Sequence, residues 1–570
     1  MSTAYPAPAP CSADIQLSHG AIRSTELFPQ NINMAAIQRS FLALLLLILH
    51  VKVDGYSPTS PRALQRGRSV SSNLAGRIET GDDDTSRYVP SYLATCIPGC
   101  AAILADELVE VGCWDVQQSG KSAVTFTADT ATALRALLWT RSCHKMMELL
   151  CQSVAPITNR DDLYQFVRKT VDVEDLLGND EDSQKGQLLT IAVQTIMNAA
   201  QFIPPDINHS HYTALTVKNA IADACIEWRG DRPDVNLDDP DVPLVCSVLG
   251  TPDSRGAVVS IFRQLHPAGT LHKRGYRFGN AIHKAAMKES MAAALLLHTG
   301  WPLQCRIAKE GNGDPVILID PMAGSGSLLL EAACIAADIA PGLMRIKTDL
   351  PGHRMPPVTR WKSDGGKKGR TAESWRELLV EATTRARGGL QWMQSSGRIQ
   401  IIGNDIHPGA LDLFESALNQ SGLSHVVQVA EGDCLDWKPV TSSAGPWMVV
   451  SNPPWDVRLT GDMHEAWEAL RVFLRETCPP GTQAWVLSGN PAATKHLGLR
   501  KSEMLPLKAG QVDLRWIQYA IRDKNAPVVE GGESDRSFHS EERKQRHPSV
   551  RSSKPTGREP KDADNAWLIN

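Results

Sequence analysis

The sequence lacks an excess of charge of either sign, cysteine pairs at metal-binding spacing, and an apolar run long enough to cross a bilayer. Its 59 basic and 63 acidic residues nearly balance, so charge alone does not indicate a nucleic-acid partner, although a local basic patch remains compatible with one. The 12 cysteines are scattered without a C-x-x-C pair, which predicts reduced core thiols and no metal site. The longest apolar run, residues 41–49, is too short to span a bilayer comfortably, so no stable membrane association of the mature protein is expected.

The apolar run at residues 41–49 is instead typical of a signal peptide, provided that translation starts at Met34. Residues 56–77 are rich in arginine and serine and contain no acid, as transit peptides are. Together they resemble the bipartite presequences of proteins imported into complex plastids. Residues 1–87 are therefore predicted to be an organellar targeting segment, with the plastid as first choice. A mitochondrial presequence, a wrongly extended start or a cytoplasmic protein are the alternatives.

The rest of the chain is organised around residues 316–333, VILIDPMAGSGSLLLEAA. An apolar run ends in Asp320, a turn with Gly324 and Gly326 follows, and an apolar run with helical spacing comes next. This order predicts a strand, a tight loop and a helix N-terminus. Glycines allow the sharp turn and a close backbone approach, and the unpaired N–H groups of the first helical turn suit a polar or anionic ligand.

Three more predicted strands each end in a candidate functional group. Residues 398–405 end in Asp405 before a helix over 407–420, residues 426–433 end in Asp433, and residues 447–455 end in N-P-P-W. Strand–helix alternation with polar groups at the carboxyl ends of strands is typical of an open parallel α/β sheet. Because the glycine loop and Asp405 are unusually far apart, residues 341–397 are expected to contain an insertion, made of a partly disordered loop and a helix over 372–387.

A glycine loop, two spaced acids and NPP-aromatic resemble a class I S-adenosylmethionine-dependent methyltransferase of the amino-methylating branch. The stretches SYLATCIPGCAAILADELVEVG, HYTALTVKNAIADACIEWRGDRPDV and LHKRGYR further resemble the THUMP-domain 23S rRNA guanine-N2 methyltransferase family. The family usually has Cys and Thr where this chain has Ala323 and Ser327, and Tyr where it has Trp455. The resemblance implies a Rossmann-like methyltransferase domain preceded by α+β ferredoxin-like and THUMP modules.

The resemblance also implies a domain order and a set of site residues. The domains are expected at 88–155 (ferredoxin-like), 156–270 (THUMP RNA-binding) and 271–524 (methyltransferase), with a disordered tail over 525–570. The residues expected to bind S-adenosyl-L-methionine are Asp320, Gly324, Ser325, Gly326, Asp405, Asp433 and Lys288. Those expected to act on the target base are Asn452, Pro453, Pro454 and Trp455. Those expected to contact RNA are Lys218, Arg274 and Arg277.

Alternatives remain open for several of these assignments. Lys288 could belong to a helix-surface ion pair with Glu289, and Arg274 and Arg277 could face solvent as parts of a basic linker. The expected activity is methylation of the exocyclic N2 amine of a guanosine in large-subunit rRNA. A tRNA guanine-N2 methyltransferase and a catalytically silent RNA-binding assembly factor are the rivals.

Overall fold

The computed structural model describes residues 90–178, 188–252, 256–267, 269–277, 287–311, 313–361, 370–454 and 463–522. The predicted targeting segment and the predicted C-terminal tail lie outside these residues, and so does Trp455.

One seven-stranded sheet, here called the first sheet, has the order β2-β3-β1-β4-β7-β6-β5. Its strands are β1 (Ser91–Thr95), β2 (Trp114–Gln118), β3 (Ala123–Thr127), β4 (Lys145–Gln152), β5 (Ile191–Asn198), β6 (Val242–Gly250) and β7 (Ala257–Gln264). Neighbouring strands are antiparallel except β5 and β6, which are parallel. The pairing of β4 with β7 joins the two predicted N-terminal modules into one continuous sheet.

Five of the described α-helices are associated with the first sheet, and some of them begin or end at clear capping residues. They are α1 (Ala101–Glu110), α2 (Thr130–Trp139), α3 (Arg160–Thr170), α4 (Val173–Leu177) and α5 (Ser210–Arg229). The Asp129 side chain accepts the Thr132 N–H at the start of α2, and Asn159 caps α3 in the same way. Helix α5 ends at Gly230, whose φ of 78° is the left-handed conformation that closes many helices.

The second sheet has the order β10-β9-β8-β11-β12-β14-β13. Its strands are β8 (Val316–Asp320), β9 (Ile399–Asp405), β10 (Val427–Glu431), β11 (Met448–Ser451), β12 (Gln483–Ser488), β13 (Lys501–Ala509) and β14 (Val512–Ala520). The run from β10 to β12 is parallel, and β14 and β13 add an antiparallel edge. This confirms the prediction of a Rossmann-like α/β domain that follows α+β modules along the chain.

Both faces of the second sheet are covered, as a parallel sheet requires. Its helices are α6 (Glu289–His298), α7 (Trp301–Lys309), α8 (Ser327–Ala336), α9 (Pro341–Lys347), α10 (Arg370–Ser396), α11 (Pro408–Ser421), α12 (Met463–Val472) and α13 (Ala493–His496). A 3-10 turn spans Pro357–Arg360 and a π-helical turn spans Phe473–Thr477. On β8, Ile317 and Ile319 pack into one hydrophobic layer while Leu318 packs into the other. The strand is therefore buried on both sides.

The insertion between the glycine loop and Asp405 is more ordered than the sequence predicts. Its main helix, α10, extends from Arg370 to Ser396 and so passes the predicted end at residue 387. Only glycine fits at position 389 of this helix, because a Cβ on Gly389 would come within 1.9 Å of the Ala337 carbonyl oxygen. Close packing against the segment that follows α8, rather than helix propensity, explains the glycine at position 389.

Among the described helices, none is by itself long and apolar enough to cross a membrane. The pair α8 and α9 meets the length and composition criteria together, with a bend of 109° between the two helices.

Candidate cofactor and substrate site

The predicted site residues come together because parallel strands end at the same edge of a sheet. Asp320 is in register with Gly403, Asp405 with Glu431, and Ile319 with Val449. The glycine loop after β8, the acids after β9 and β10 and the NPP segment after β11 are therefore neighbours. Ligands of open α/β sheets bind at this edge.

The glycine loop has the shape that its sequence predicts. Gly326 precedes the first residue of α8 with φ at 76°, and a Cβ on it would lie 2.0 Å from the Phe414 ring. Gly324 also has a positive φ, 55°, but nothing lies within 4 Å of where its Cβ would stand. One glycine therefore lets the loop pack against α11, whereas the other leaves open space beside the backbone. Ser325 lies between them and is half-buried.

Asp405 ties the end of β9 to the glycine loop. Its Oδ2 accepts the Gly324 N–H at 2.7 Å, and its Oδ1 accepts the His407 N–H at 2.9 Å. The carboxylate is 8% exposed. Each oxygen has a further lone pair, so these two bonds orient the group without exhausting its capacity to accept hydrogen bonds.

Asp320 lies at the end of β8 with 2% of its surface exposed. Burial raises the pKa of its carboxyl to about 8, and the nearby Asp405 charge adds to the rise. The Met322 N–H, which Asp320 accepts at 3.1 Å, and the Ser451 hydroxyl act in the opposite direction. The Asp320 carboxyl at this end of the site therefore holds a proton near neutral pH.

Asn404 is a site residue that the sequence analysis missed. It is fully buried, and its Nδ2 donates to the carbonyl oxygens of Pro321 at 3.1 Å and Gly432 at 2.9 Å. Its Oδ1 is buried without a hydrogen-bond partner among the described residues. An amide inside an otherwise apolar strand, directly before a predicted site acid, was the available signal. Its bonds hold the loops after β8 and β10 together.

The NPP segment follows β11 directly. Asn452 and Pro454 are half-buried and Pro453 is buried. The Pro454 carbonyl accepts the indole N–H of the fully buried Trp467 at 2.8 Å, which anchors the segment to α12. Two consecutive prolines fix φ, so the main chain that follows Asn452 has little freedom.

Asp433 lies two residues beyond the end of β10 and is exposed. Its Oδ1 accepts the Leu435 N–H at 2.9 Å, which orients the carboxylate at the start of the following turn. The sequence analysis placed Asp433 at the end of the strand itself, whereas the strand ends at Glu431.

The segment before α6 borders the glycine loop. Arg277 donates to the Ser327 hydroxyl on the first turn of α8 and to the Met287 carbonyl at 2.9 Å. Lys288 is the N-cap residue of α6, and burial lowers the pKa of its ammonium while Glu289 opposes the shift. Arg277 thus orients helix α8. The sequence analysis predicted an RNA contact for Arg277 and did not predict these hydrogen bonds.

The structure corrects the RNA contact expected of Arg274. The residue is 1% exposed, and its guanidinium donates to Glu331 at 3.3 Å, to the Leu271 carbonyl at 2.7 Å and to the Arg141 carbonyl at 2.6 Å. A guanidinium enclosed in this way cannot reach an RNA phosphate.

Lys218 is half-buried in the middle of α5. Its predicted contact with RNA stays a prediction. Among the described residues, no cluster of three or more His, Cys, Asp or Glu side chains could hold a metal ion.

Comparisons with known protein families match three consecutive parts of the chain. The RlmL ferredoxin-like domain matches residues 91–147, the THUMP domain matches residues 158–251, and the RMKL-like methyltransferase domain matches residues 274–518. The order of the three matches is the order predicted from the sequence.

The chain is also similar to curated proteins and solved structures. A ribosomal RNA large subunit methyltransferase K/L from Pseudomonas putida is 31% identical over 430 residues, which cover 75% of this chain and 52% of that protein. The chain spans about half the length of the curated relatives it matches. A possible methylase from Clostridium difficile has a TM-score of 0.59 at 18% identity, covering 77% of this chain and all of that one. A methyltransferase candidate complexed with SAH has a TM-score of 0.57 at 20% identity, covering 76% and 99% of the two chains.

Proposed function

We propose, from the premise that this chain belongs to the THUMP-containing family with an RMKL-like methyltransferase domain, that it methylates the exocyclic N2 amine of a guanosine in large-subunit rRNA. The observation that carries the proposal is the position of Asn452, Pro453 and Pro454. They follow β11 at the sheet edge where the glycine loop and Asp405 also lie.

The residues at this edge fit S-adenosyl-L-methionine, the cofactor found in its demethylated form in one structural neighbour. The space beside Gly324 is open, so a ligand can approach the loop backbone there. The Asp405 carboxylate is oriented by two N–H groups and suits ribose hydroxyls, as acids at strand ends do in dinucleotide sites. The exposed carboxylate of Asp433 suits the adenine amine. Ser325 and Gly326 are part of the same loop, and Asp320 and Lys288 lie beside it. These four residues complete the proposed cofactor site.

The bound cofactor would supply a methyl carbon already activated by the sulfonium, so the protein needs no covalent intermediate. The protein must instead orient a weak nucleophile, because the lone pair of the guanine N2 amine is delocalised into the ring. The Asn452 side-chain carbonyl and the Pro453 main-chain carbonyl each accept one N–H of that amine in our proposal. The lone pair then turns toward the methyl carbon, and alignment supplies most of the rate.

The base would be held flat by Trp455, as the family resemblance implies. Trp455 lies outside the described residues, and its support is the NPP-aromatic sequence. The hydrogen bond from Trp467 to the Pro454 carbonyl fixes the main chain as far as Pro454, the residue before Trp455.

RNA is the proposed partner, and the first sheet with its helices is the part of the molecule that binds it in this proposal. The THUMP match over residues 158–251 and the name of the rRNA methyltransferase relatives support this choice. Lys218 on α5 remains a proposed contact.

The test is methyl transfer from labelled cofactor to purified large-subunit rRNA, small-subunit rRNA and tRNA, followed by nucleoside analysis. We expect N2-methylguanosine in large-subunit rRNA. Label in tRNA alone would favour the tRNA enzyme. Tight RNA binding without cofactor binding or methyl transfer would favour a silent assembly factor.

We further propose that residues 34–77 direct the protein to an organelle, with the plastid as first choice, on the support of their composition. A fluorescent reporter fused to these residues should enter the organelle. A reporter that stays diffuse in the cytosol would refute this targeting proposal and leave the enzymatic proposal intact.

A further inference from the structure

The insertion between the glycine loop and Asp405 touches three parts of the molecule at once. It comprises the 3-10 turn Pro357–Arg360, Trp361 and helix α10, and together these are called the brace. The contacts of the brace are polar, directional and made by side chains far apart in sequence.

The first attachment of the brace is to helix α2 of the ferredoxin-like module. Arg135 donates to both carboxylate oxygens of Glu381 on α10, at 2.9 and 2.6 Å. Such a two-pronged contact fixes orientation as well as distance. One turn further along α10, the Arg385 guanidinium lies 3.9 Å from the centre of the Trp139 ring at the end of α2.

The second attachment is to the THUMP module. Arg360 donates to Asp241 at 2.6 Å, and the indole N–H of Trp361 donates to the Asp241 carbonyl at 2.9 Å. The face of the Trp361 ring meets Arg263 of β7, whose guanidinium lies 4.4 Å from the ring centre. Arg263 in turn pairs with Glu148 of β4, so this attachment reaches both halves of the first sheet.

The third attachment is to the end of the glycine-loop helix. Arg385 donates to both oxygens of Asp338, at 2.8 and 3.0 Å. Gly389 approaches the backbone at Ala337 so closely that no Cβ could be placed there. Both contacts lie just beyond the C-terminal end of α8, whose first turn borders the cofactor loop.

We propose that the brace sets the orientation of the first sheet relative to the methyltransferase domain, with Arg135, Glu381, Arg360 and Asp241 as positioning residues. The inference rests on the proposed function, in which RNA held by the first sheet must present one base to the NPP segment. Units within a chain move relative to one another unless their interface restrains them, and small misplacements of a reacting group cost large factors in rate. Three attachments, two on helix α10 and one on the turn and tryptophan that precede it, are such a restraint.

The test uses charge reversal of the first attachment. Glu381→Arg and Arg135→Glu place like charges together, and the double variant Arg135→Glu/Glu381→Arg restores an opposite pair. Each single variant should lower the single-turnover rate on rRNA at least tenfold, with RNA affinity and cofactor affinity within twofold of wild type. The double variant should recover part of the lost rate, because Glu381 also accepts the Arg385 guanidinium at 3.2 Å and the double variant does not restore that bond. Asp241→Asn, which weakens the second attachment, should lower the rate in the same direction.

The matched control is Arg306→Glu. Arg306 on α7 forms an ion pair with Glu110 of α1, and the substitution replaces that pair with two negative charges. That pair joins the same two parts of the molecule, but its side chains are 62% and 74% exposed and 3.5 Å apart. The control should keep the rate within twofold. Single variants that methylate rRNA at the wild-type rate, or a double variant that recovers nothing, would overturn the proposal.

A second readout does not depend on activity. Fluorophores attached at the exposed positions Gln117 and Asn419 through unnatural amino acids report the distance between the first sheet and the methyltransferase domain. The distance distribution should broaden in each single variant and narrow again in the double variant. If wild type transfers no methyl group but these changes occur, the brace stands and the proposed function fails. Unchanged distributions in all variants would overturn the brace itself.

Discussion

The guanidinium of Arg274 and the carboxylate of Glu331 lie 3.3 Å apart with 1% of each side chain exposed. Glu331 also accepts the Tyr276 hydroxyl at 2.9 Å, and Arg274 donates to the carbonyl of Arg141 in the ferredoxin-like module. Glu331 lies on α8, the helix that begins at the glycine loop. A buried ion pair therefore links the ferredoxin-like module to the helix that begins at the glycine loop.

Removing one partner of this pair should be costly. Arg274→Ala leaves the Glu331 charge buried without its partner, so the free energy of unfolding should fall by about 3–5 kcal/mol. Chemical denaturation would measure it. The matched control, Arg306→Ala, removes an exposed ion pair and should change stability by less than about 1 kcal/mol. Equal losses in the two variants would contradict the assigned role of burial.

Asp405→Ala should weaken cofactor binding by about 1.5–3 kcal/mol, because in the proposed site the ribose hydroxyls lose a carboxylate acceptor. Isothermal calorimetry on the folded variant would give the affinity. Asp412, an exposed acid on α11, provides the control, and Asp412→Ala should bind cofactor as wild type does. Unchanged affinity in the Asp405 variant would remove this residue from the site.

The second sheet and its site were predictable because their signals are local. The apolar run of β8, the glycines after it and Asn452 after β11 lie within a few residues of the turn they specify. The end of β10 was predicted at Asp433, two residues too late, because the end of a strand depends on its neighbour's hydrogen bonds, which the sequence does not display.

Other features depend on partners far away in sequence. Arg274 was expected to contact RNA because a basic linker resembles a phosphate-binding surface, yet its partner Glu331 lies 57 residues further along. Helix α10 was ended too early because Gly389 weakens a helix in isolation, and its packing against Ala337 could not be foreseen. The pairing of β4 with β7 joins modules that the sequence presents as separate.

The two glycines of the loop should respond differently to alanine. Gly326→Ala meets the Phe414 ring in addition to an unfavourable φ, so it should destabilise the protein by roughly 2–5 kcal/mol. Gly324→Ala meets only open space and should cost about 1–2 kcal/mol from its φ alone. Its larger effect should be on cofactor affinity, because the new methyl group would project into the open space beside the loop. Thermal unfolding and calorimetry would separate the two effects, and an identical loss of stability in both variants would contradict the steric account.

Asp320 should make stability depend on pH in a defined direction. Its folded pKa of about 8 lies above the 3.8 of the unfolded chain, so the folded state binds the extra proton between these values. The contribution of the group to stability is complete below about pH 4 and is lost as pH rises toward 8. The stability of Asp320→Asn relative to wild type should therefore increase from pH 5 to pH 8, by at most about 1.4 kcal/mol per unit, and then level off. Denaturation curves of both proteins across this range measure the difference, and a constant difference would mean that Asp320 is already ionised at pH 5.

Asn452→Ala should separate chemistry from binding. The residue directly follows β11, at the sheet edge where the glycine loop and Asp405 also lie, so its side chain is placed to meet a base held beside the cofactor. In our mechanism its amide oxygen orients the amine chiefly as the transition state forms, so its loss should appear in the rate of the chemical step. Single-turnover methyl transfer should fall by roughly 100-fold or more, the scale of losing one well-placed polar group in a transition state. Cofactor affinity, measured by calorimetry, and RNA affinity, measured by filter binding, should stay near wild type. The control is Asn419→Ala, which alters an exposed residue of α11. It should keep the wild-type affinities and the wild-type rate. If Asn452→Ala instead weakened cofactor binding and left the chemical step unchanged, Asn452 would belong to the cofactor site, and the proposed division between the glycine loop and the NPP segment would be wrong.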